Sequence, residues 1–483
     1  MKPRQVLLFV AVVIGMLGII MAIFPRSGIR LTNNLVLYFP SFSEMFSKKD
    51  ARLDIDSLLS KQFNIDSLGM KVDDSLSPLD IEELKKLITP LEFPQNNPHA
   101  LDPFFAKLNN PDEDGRIRVM HYGDSQIEGD RITAFLRNKL QSRFGGLGMG
   151  LSTAGVVYSQ FSIIQENSSN WTRYPGFVMI NPLVKHKKYG AMIAFSRFAP
   201  IVDSGATLPE TKYKAWLSFT KSDLAYSNTK KFKNVSIYYG NAKARVKISI
   251  ISGETVLVTD SLKAGEGMTV FEYKSSTYLE NIRFEFEGND SPDFYAISFE
   301  DDKGVYIDNI ALRGSSGTVF TTTDGSLLSQ MFTRLDVDLF ILQFGGNVMP
   351  YIKDAKNAAL HASYFYSQLL FLKRLVPDAC IIVIGPSDMS YKEKDYYTTY
   401  PILETVRNEL KAATLKAGGV YWDMYEAMGG KNSMISWVNA NPPLAGADYT
   451  HFTPQGTVVV ANMFYNSLIL EYSEYNERIK APK

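Results

Sequence analysis

The residues whose types suggest chemistry are a serine and a histidine that lie far apart in the sequence. Ser125 lies in the segment Gly-Asp-Ser-Gln-Ile-Glu-Gly-Asp (residues 123–130), directly after the apolar run of residues 117–122. His451 closes the tetrapeptide Asp-Tyr-Thr-His, which begins at Asp448. A serine hydroxyl is a weak nucleophile until a neighbouring base takes its proton, and a carboxylate can hold that base in orientation. These residues therefore predict nucleophilic chemistry at Ser125.

The elements around Ser125 are predicted to be a strand, a tight turn and a helix over residues 131–143, whose apolar residues recur with helical spacing. This order places Ser125 at the carboxyl end of a strand, where open α/β sheets hold their reactive groups. Further along the chain the sequence predicts alternating strands and helices: strands at 306–312, 338–344, 379–384 and, as an edge strand, 419–423; helices at 358–375, 405–417 and 456–472. Such alternation is typical of a parallel sheet that is covered on both faces.

Four short blocks in a fixed order carry a family resemblance. They are Gly123-Asp124-Ser125, the glycine Gly314 after Asn-Ile-Ala-Leu-Arg, Gly345-Gly346-Asn347, and Asp448-Tyr449-Thr450-His451. With these blocks the chain resembles the SGNH (GDSL-type) hydrolase superfamily. Gln126 stands where the literal G-D-S-L motif has leucine. The resemblance implies a three-layer α/β/α, flavodoxin-like fold with a parallel sheet.

The resemblance also implies the role of each site residue. Ser125 is expected to attack an ester carbonyl, His451 to take its proton, and Asp448 to orient the imidazole. The oxyanion hole is expected to consist of the backbone N–H groups of Ser125 and Gly314 and the side-chain amide of Asn347. No cofactor and no metal site are expected, because no cluster of His, Cys, Asp and Glu has metal-ligand spacing.

Residues 155–303 follow a different pattern from the segments on either side. Short alternating or aromatic-rich runs, separated by turn residues, predict an all-β sandwich inserted between the first two blocks. The layout is similar to cell-wall (peptidoglycan-type) O-acetyl esterases of the SGNH type, in which a sandwich resembling a carbohydrate-binding module is inserted at this point. Four aromatic residues are candidates for stacking on sugars, or equally for the sandwich core: Trp171, Tyr174, Tyr238 and Tyr239.

The amino terminus predicts a membrane segment. Lys2 and Arg4 precede an uncharged run from Val6 to Phe24, close to the roughly 20 residues that span a bilayer. We interpret residues 1–30 as an uncleaved signal anchor with the rest of the chain outside the cytoplasmic membrane, with a cleaved signal and secretion as the alternative. Residues 31–95 are then a stalk, and the hydrolase domain is split into 96–154 and 304–483.

Composition excludes some classes of function. Lys plus Arg and Asp plus Glu are equal at 51 each, so no global positive charge favours nucleic acid as a partner. The single cysteine, Cys380, lies in an apolar run and is expected to be a buried, inert thiol. His121, which precedes Ser125 in a predicted strand, is expected to hydrogen-bond within the sheet rather than act as the base.

Three functions follow from these expectations. The first is a serine esterase that removes O-acetyl groups from peptidoglycan or another envelope polysaccharide. The second uses the same triad for O-acetyl transfer to a glycan, with a membrane-bound O-acyltransferase as partner. The third is a non-catalytic glycan-binding envelope protein, against which the complete set of Ser125, Asn347, Asp448 and His451 argues.

Overall fold

The amino-terminal part of the chain contains a long apolar helix. The structure is a computed structural model that describes residues 3–25, 29–32, 35–37, 39, 53–55, 57–60, 78–110, 115–202 and 205–480. The chain forms two compact units, Met1–Leu53 and Asp54–Lys483. The first contains helix α1 (Pro3–Ile23) and a hairpin of strands β1 (Ile29–Thr32) and β2 (Leu35–Leu37). Helix α1 is long and apolar enough to cross a membrane, and a signal sequence has the same properties.

The second unit contains the remaining strands and helices. Its strands are β3 (Leu91–Glu92), β4 (Arg116–Gly123), β5 (Gly150–Ser152), β6 (Ile163–Asn167), β7 (Thr172–Pro175), β8 (Ala194–Arg197), β9 (Tyr213–Lys221), β10 (Phe232–Gly240), β11 (Val246–Ser252), β12 (Thr255–Leu262), β13 (Thr269–Leu279), β14 (Asn281–Gly288), β15 (Asp293–Glu300), β16 (Gly304–Ala311), β17 (Val337–Gln343), β18 (Cys380–Ile384), β19 (Ser390–Glu393), β20 (Tyr396–Thr399) and β21 (Val420–Trp422). Its helices are α2 (Pro78–Leu87), α3 (Asp102–Asn109), α4 (Arg131–Phe144), α5 (Gly325–Leu335), α6 (Ala355–Leu375), α7 (Leu403–Lys416), α8 (Met424–Ala427), α9 (Ser433–Val438) and α10 (Pro454–Lys480).

A six-stranded sheet carries the α/β part of this unit, in the order β16-β4-β17-β18-β21-β3. Every pairing is parallel except that of β3 with β21. In chain order the five parallel strands are arranged 2-1-3-4-5, which is the flavodoxin-like order. Every residue of β17 is buried, and its apolar run of residues 339–342 predicts this. The mixed α/β fold and the apolar amino-terminal helix are thus confirmed.

Two details at the edge of this sheet correct the sequence analysis. Residues 419–423 are not at the edge, because β3 pairs with β21 on its outer side. The predicted stalk also ends before residue 95, since Leu91 is buried in the sheet and Leu84 and Ile88 pack against Leu470 of α10. A two-residue strand has no periodicity from which it could be recognised. The structure does not describe residues 61–77 of the predicted stalk.

Residues 150–300 form two antiparallel sheets. One has the order β13-β10-β15-β8-β7, with β5 also paired to β15, and the other has the order β12-β11-β14-β9-β6. The sequence predicted strands from five runs, which correspond to β9, β10, β11, β14 and β15: residues 214–219, 235–239, 245–250, 281–286 and 294–299. Six strands of these sheets were missed. Strands β5, β6, β7 and β8 are only three to five residues long, and most side chains of β12 and β13 are exposed or half-buried, so their alternation is weak.

The proposed sugar-stacking aromatic residues are mostly core residues. Tyr174, Tyr238 and Tyr239 are only 5%, 5% and 2% exposed, so of the two alternatives the structure favours core residues over sugar stacking. Tyr174 and Tyr238 pack in one hydrophobic cluster with residues of the parallel sheet, such as Phe340. Trp171 is half-buried and its ring packs edge-on against Phe198, Phe286 and Phe294. The region is therefore in direct contact with the α/β part and is not merely tethered to it.

A buried ion-pair cluster connects the parallel sheet to the antiparallel strands. Arg118 of β4 is 1% exposed and pairs with Asp308 of β16 at 2.8 Å and with Glu300 of β15. We expect Arg118→Met to lower the free energy of unfolding by about 3–5 kcal/mol, because it leaves the buried Asp308 without a counter-charge and Glu300 with Arg116 as its remaining cation. Chemical denaturation measures this change.

The matched control for Arg118→Met is Arg334→Met. Arg334 also pairs with a carboxylate, Glu272, but both side chains are about half exposed. Its replacement is expected to change the free energy of unfolding by about 1 kcal/mol or less. Equal effects of the two substitutions would contradict a structural role for the buried cluster.

Candidate active site

Three of the five predicted site residues lie at the carboxyl ends of three neighbouring parallel strands. Ser125 follows β4, Gly314 follows β16 and Asn347 follows β17. The strand ends are held together by hydrogen bonds from the Asp124 N–H to the Gln343 carbonyl (3.3 Å) and from the Leu312 N–H to the Gly123 carbonyl (2.7 Å). Since β4 has its successors β16 and β17 on opposite sides, Ser125 stands at the point where the strand order reverses, a common position for ligands.

Ser125, His451 and Asp448 form a hydrogen-bonded chain. The Ser125 Oγ lies 2.8 Å from His451 Nε2, and His451 Nδ1 lies 2.8 Å from Asp448 Oδ2. Because an ionised carboxylate can only accept, Nδ1 carries the imidazole proton and Nε2 is left to accept from the serine hydroxyl. The side chains of His451 and Asp448 are 40% and 54% exposed, so solvent reaches the His451–Asp448 end of this hydrogen-bonded series.

The local fold of the Asp448–His451 segment keeps the carboxylate in place. Asp448 Oδ1 accepts hydrogen bonds from the backbone N–H groups of Thr450 and His451, both at 3.0 Å. Burial acts to raise the pKa of Asp448, but these bonds and the His451 side chain outweigh it and hold the pKa below its usual range. Asp448 is therefore ionised at neutral pH.

Two residues that follow Ser125 in the sequence, Gln126 and Arg131, hold the backbone on either side of His451. Gln126 Nε2 donates to the Thr450 carbonyl at 2.7 Å, and Arg131 Nη1 donates to the Phe452 carbonyl at 3.4 Å. Sequence analysis gave Gln126 no function beyond replacing the family's leucine. Its departure from the motif was the one available signal, but its partner is remote in sequence and could not be read from the chain.

The expected oxyanion donors differ in whether they already donate a hydrogen bond. Among the described residues, no acceptor lies on the backbone N–H of Ser125 or of Gly314. The Asn347 side-chain amide instead donates to Asp124 Oδ2 at 3.0 Å and to the Ser315 carbonyl at 3.1 Å. Both hydrogens of the Asn347 amide are thus engaged, which fixes the plane of the amide. To donate to an oxyanion, Asn347 must share or give up its bond to Asp124 or to Ser315.

Asp124 is a second residue that sequence analysis missed. It is 3% exposed, and its oxygens accept from the Gln126 backbone N–H (3.0 Å) and from Asn347. Burial raises the pKa of Asp124 to about 6, against the opposing effect of its N–H donors and of His451. Each carboxylate oxygen of Asp124 accepts a hydrogen bond, from Gln126 or from Asn347. A proton on either oxygen therefore removes the acceptor of one of these two bonds.

We expect protonation of Asp124 to release the Asn347 amide. In the folded protein the pKa of Asp124 lies above the ordinary aspartate value, so protonation of Asp124 stabilises the folded state. This contribution to folding stability is lost as the pH rises from about 4 to about 6. The NMR signal of the Asn347 side-chain amide should therefore shift with a midpoint near pH 6 and should not do so in Asp124→Asn. An Asn347 signal that does not respond to pH in the wild-type protein would contradict this coupling.

The other candidate groups have structural surroundings. His121 is fully buried between Thr133 (3.0 Å) and Gln343 (3.3 Å), which confirms that it hydrogen-bonds internally, and burial lowers its pKa to about 3. Cys380 is a buried free thiol as expected, and burial raises its pKa to about 11. Within the described ranges, no group of three or more His, Cys, Asp or Glu side chains could hold a metal ion.

Comparison with known proteins finds similar solved structures. No protein-family model matches the sequence, and no curated protein matches it. Among solved structures, a peptidoglycan O-acetylesterase aligns with a TM-score of 0.59 and 20% identity over 77% of this chain and 96% of that one. An acetylxylan esterase from Geobacillus stearothermophilus aligns at 15% identity over 34% of this chain and 73% of that one, with a TM-score of 0.26 that is too low to bear on the fold. The chain has the fold of that peptidoglycan O-acetylesterase.

Proposed function

We propose that the protein is a serine esterase that removes O-acetyl groups from peptidoglycan or another cell-envelope polysaccharide. The observation that carries the proposal is the chain of hydrogen bonds from Ser125 through His451 to Asp448 at the carboxyl end of β4. This geometry matches that of a nucleophile, a general base and an orienting carboxylate.

The proposed reaction has two halves. His451 Nε2 takes the Ser125 proton while Oγ bonds to the acetyl carbonyl carbon, and the resulting imidazolium is stabilised by Asp448. The tetrahedral oxyanion is held by the backbone N–H groups of Ser125 and Gly314 and by the Asn347 amide. The C–O bond to the sugar then breaks, and His451 gives its proton to the leaving sugar oxygen, so acetyl-Ser125 and the free hydroxyl remain.

The second half releases acetate. A water molecule replaces the sugar, His451 takes its proton, and the hydroxide attacks the acetyl carbonyl. Collapse of this second tetrahedral intermediate breaks the bond to Oγ, which recovers its proton from His451. The exposure of the His451 and Asp448 side chains gives water access to the base.

The envelope glycan is proposed from three supporting observations. The solved structure with the matching fold is described as a peptidoglycan O-acetylesterase. The two antiparallel sheets lie between β4 and β16, as expected for a carbohydrate-binding-like sandwich inserted over residues 155–303. Helix α1 is consistent with a signal anchor that holds residues 96–154 and 304–483, the proposed hydrolase domain, outside the cytoplasmic membrane.

Acetate release distinguishes this function from its alternatives. The full chain in detergent is incubated with O-acetylated glycan, and free acetate and acetyl transferred to added unacetylated oligosaccharide are both measured. Ser125-dependent free acetate supports the esterase. Acetyl moved mainly to the oligosaccharide would instead indicate an acetyltransferase that works with a membrane-bound acyl donor. Glycan binding without either product would indicate a binding protein.

A further inference from the structure

A loop of residues 177–188, between β7 and β8, exposes aliphatic side chains that have no role in the proposed reaction. Each of these side chains is more than half exposed: Val178, Met179, Ile180 and Leu183. Single exposed apolar residues are common on protein surfaces, but a contiguous group of them marks a site of interaction with a partner or a membrane. The 177–188 loop is therefore a candidate interaction surface.

The 177–188 loop is anchored at both ends of its aliphatic part. Phe177 and Val184 pack against the hydrophobic cluster that the parallel sheet shares with the antiparallel strands. Between them, the Asn181 side-chain oxygen accepts from the Leu183 N–H (2.9 Å), and the Asn181 carbonyl accepts from the Val184 N–H (3.0 Å). The aliphatic side chains are thus presented outward by a hydrogen-bonded turn that is held to the core.

Val178 places the 177–188 loop next to the proposed active site. Its Cγ2 would lie 3.7 Å from a Cβ added to Gly314, the glycine of the expected oxyanion hole. Its φ of 60° falls in the left-handed region, which is sterically unfavourable for a β-branched residue. Such conformations persist where the surrounding structure enforces them, and they cluster at functional sites. The exposed aliphatic side chains therefore border the proposed active site.

Three lysines follow the aliphatic residues in the same loop. Lys185 and Lys187 are exposed and Lys188 is half-buried. Lys185 Nζ donates to the Pro182 carbonyl at 2.7 Å, and among the residues that the structure describes no carboxylate forms an ion pair with any of the three lysines. Asp324, whose N–H donates to the Lys187 carbonyl, uses its side chain to cap helix α5. The loop thus combines aliphatic side chains with positive charges that lack a counter-charge.

We propose that the 177–188 loop docks on the surface of a lipid bilayer that contains anionic lipids. Aliphatic side chains can enter the interfacial region of the bilayer, and lysines beside them are attracted to anionic headgroups. A protein partner matches this surface less well, because protein–protein interfaces are depleted in lysine.

Helix α1 gives a reason for a bilayer to be within reach of the loop. It belongs to the same chain and is long and apolar enough to cross a membrane. A tethered surface of low intrinsic affinity can dock because the tether raises its effective concentration. Since Val178 borders Gly314, docking would bring the proposed active site to the bilayer surface. This proposal goes beyond the esterase function and does not depend on it.

Quenching of a fluorophore by lipids tests the proposal on the full chain. Met179→Cys is labelled with nitrobenzoxadiazole and reconstituted into vesicles of phosphatidylcholine and phosphatidylglycerol, some of which carry a nitroxide on an acyl chain. The single native cysteine, Cys380, is buried, so the label attaches to the introduced thiol. We expect the label to be quenched by the nitroxide lipids and its emission to shift to the blue.

Val256→Cys, labelled in the same way, is the matched control. Val256 is also aliphatic and more than half exposed, but it lies on β12 in the other antiparallel sheet. Its label should stay unquenched in the same vesicles. Flotation confirms that both proteins are in the vesicles.

The lysines are tested by charge removal in the Met179→Cys protein. We expect each of Lys185→Gln, Lys187→Gln and Lys188→Gln to lower the docking equilibrium about fivefold in vesicles with phosphatidylglycerol. Arginine at the same three positions should preserve the quenching, because it retains the charge. In vesicles of phosphatidylcholine alone, the glutamine variants should match the protein that keeps its lysines.

Three results would overturn the membrane-docking surface. The first is equal quenching at positions 179 and 256. The second is a blue-shifted emission at position 179 without lipid quenching, since another protein, such as a second copy of this chain, would then cover the loop. The third is quenching that neither the glutamine substitutions nor removal of phosphatidylglycerol changes. Hydrolysis of a soluble acetyl ester by the glutamine variants is expected to be unchanged, so failure of this proposal is distinguishable from failure of the esterase.

Discussion

Replacement of Ser125 by alanine is expected to lower kcat for acetyl-ester hydrolysis on the order of 10⁶-fold. The hydroxyl that hydrogen-bonds to His451 Nε2 at 2.8 Å is lost, and no other nucleophile takes its place in the proposed mechanism. What remains is stabilisation by the oxyanion donors, which accelerates attack by water to a much smaller extent. Acetate release under saturating substrate measures the effect.

Ser363→Ala is the matched control for this substitution. Ser363 lies on the exposed face of α6 and its hydroxyl donates to the carbonyl of Leu360 in the preceding turn. Its removal should leave kcat unchanged. If Ser125→Ala retained most of the activity while remaining folded by its unfolding temperature, the assignment of Ser125 as nucleophile would be wrong.

The second large effect is expected from Asp448→Asn, which should lower kcat roughly 10⁴-fold with little change in KM. The asparagine can turn its NH₂ group towards His451 Nδ1, which must then accept. The proton moves to Nε2, and the imidazole can no longer take the Ser125 proton. Steady-state kinetics on a small acetyl ester measures the two parameters separately.

The pH dependence strengthens this test. Since its hydrogen bonds keep the pKa of Asp448 below the usual range, the wild-type carboxylate is ionised throughout the neutral range. The deficit of Asp448→Asn should therefore persist at alkaline pH. Recovery of activity with rising pH, or a loss confined to KM, would argue against a role for Asp448 in setting the tautomer.

The sequence singles out Ser125, Asp448 and His451, which the structure brings together, because the signals of these residues are local. Ser125 follows an apolar strand and precedes a helix, and Asp448 and His451 are three residues apart, so one short turn can bring them together. Strands such as β17 are recognisable because a run of apolar residues, 339–342, lies at their centre and is buried on both faces. These signals require no knowledge of which elements become neighbours.

The failures arise where the outcome depends on distant partners. Tyr174 and Tyr238 are aromatic residues of the kind that stack on sugars. Their sheet, however, packs against the α/β part, and this packing buries both side chains. Strand β3 exists because β21 offers it an edge, not because of its own two residues. Gln126 and Asp124 acquire their functions from Thr450 and Asn347, each remote in sequence.

The central claim is that Ser125 forms an acetyl-enzyme, and pre-steady-state kinetics with an activated acetyl ester tests it most directly. Because the activated leaving group makes acylation fast, deacylation should become rate-limiting, and a burst of one leaving group per protein should precede the steady state. Acid quenching and peptide mass spectrometry should locate the acetyl group on Ser125. The account would be contradicted by an acetyl group on another residue, or by equal turnover without a burst in the wild-type and Ser125→Ala proteins.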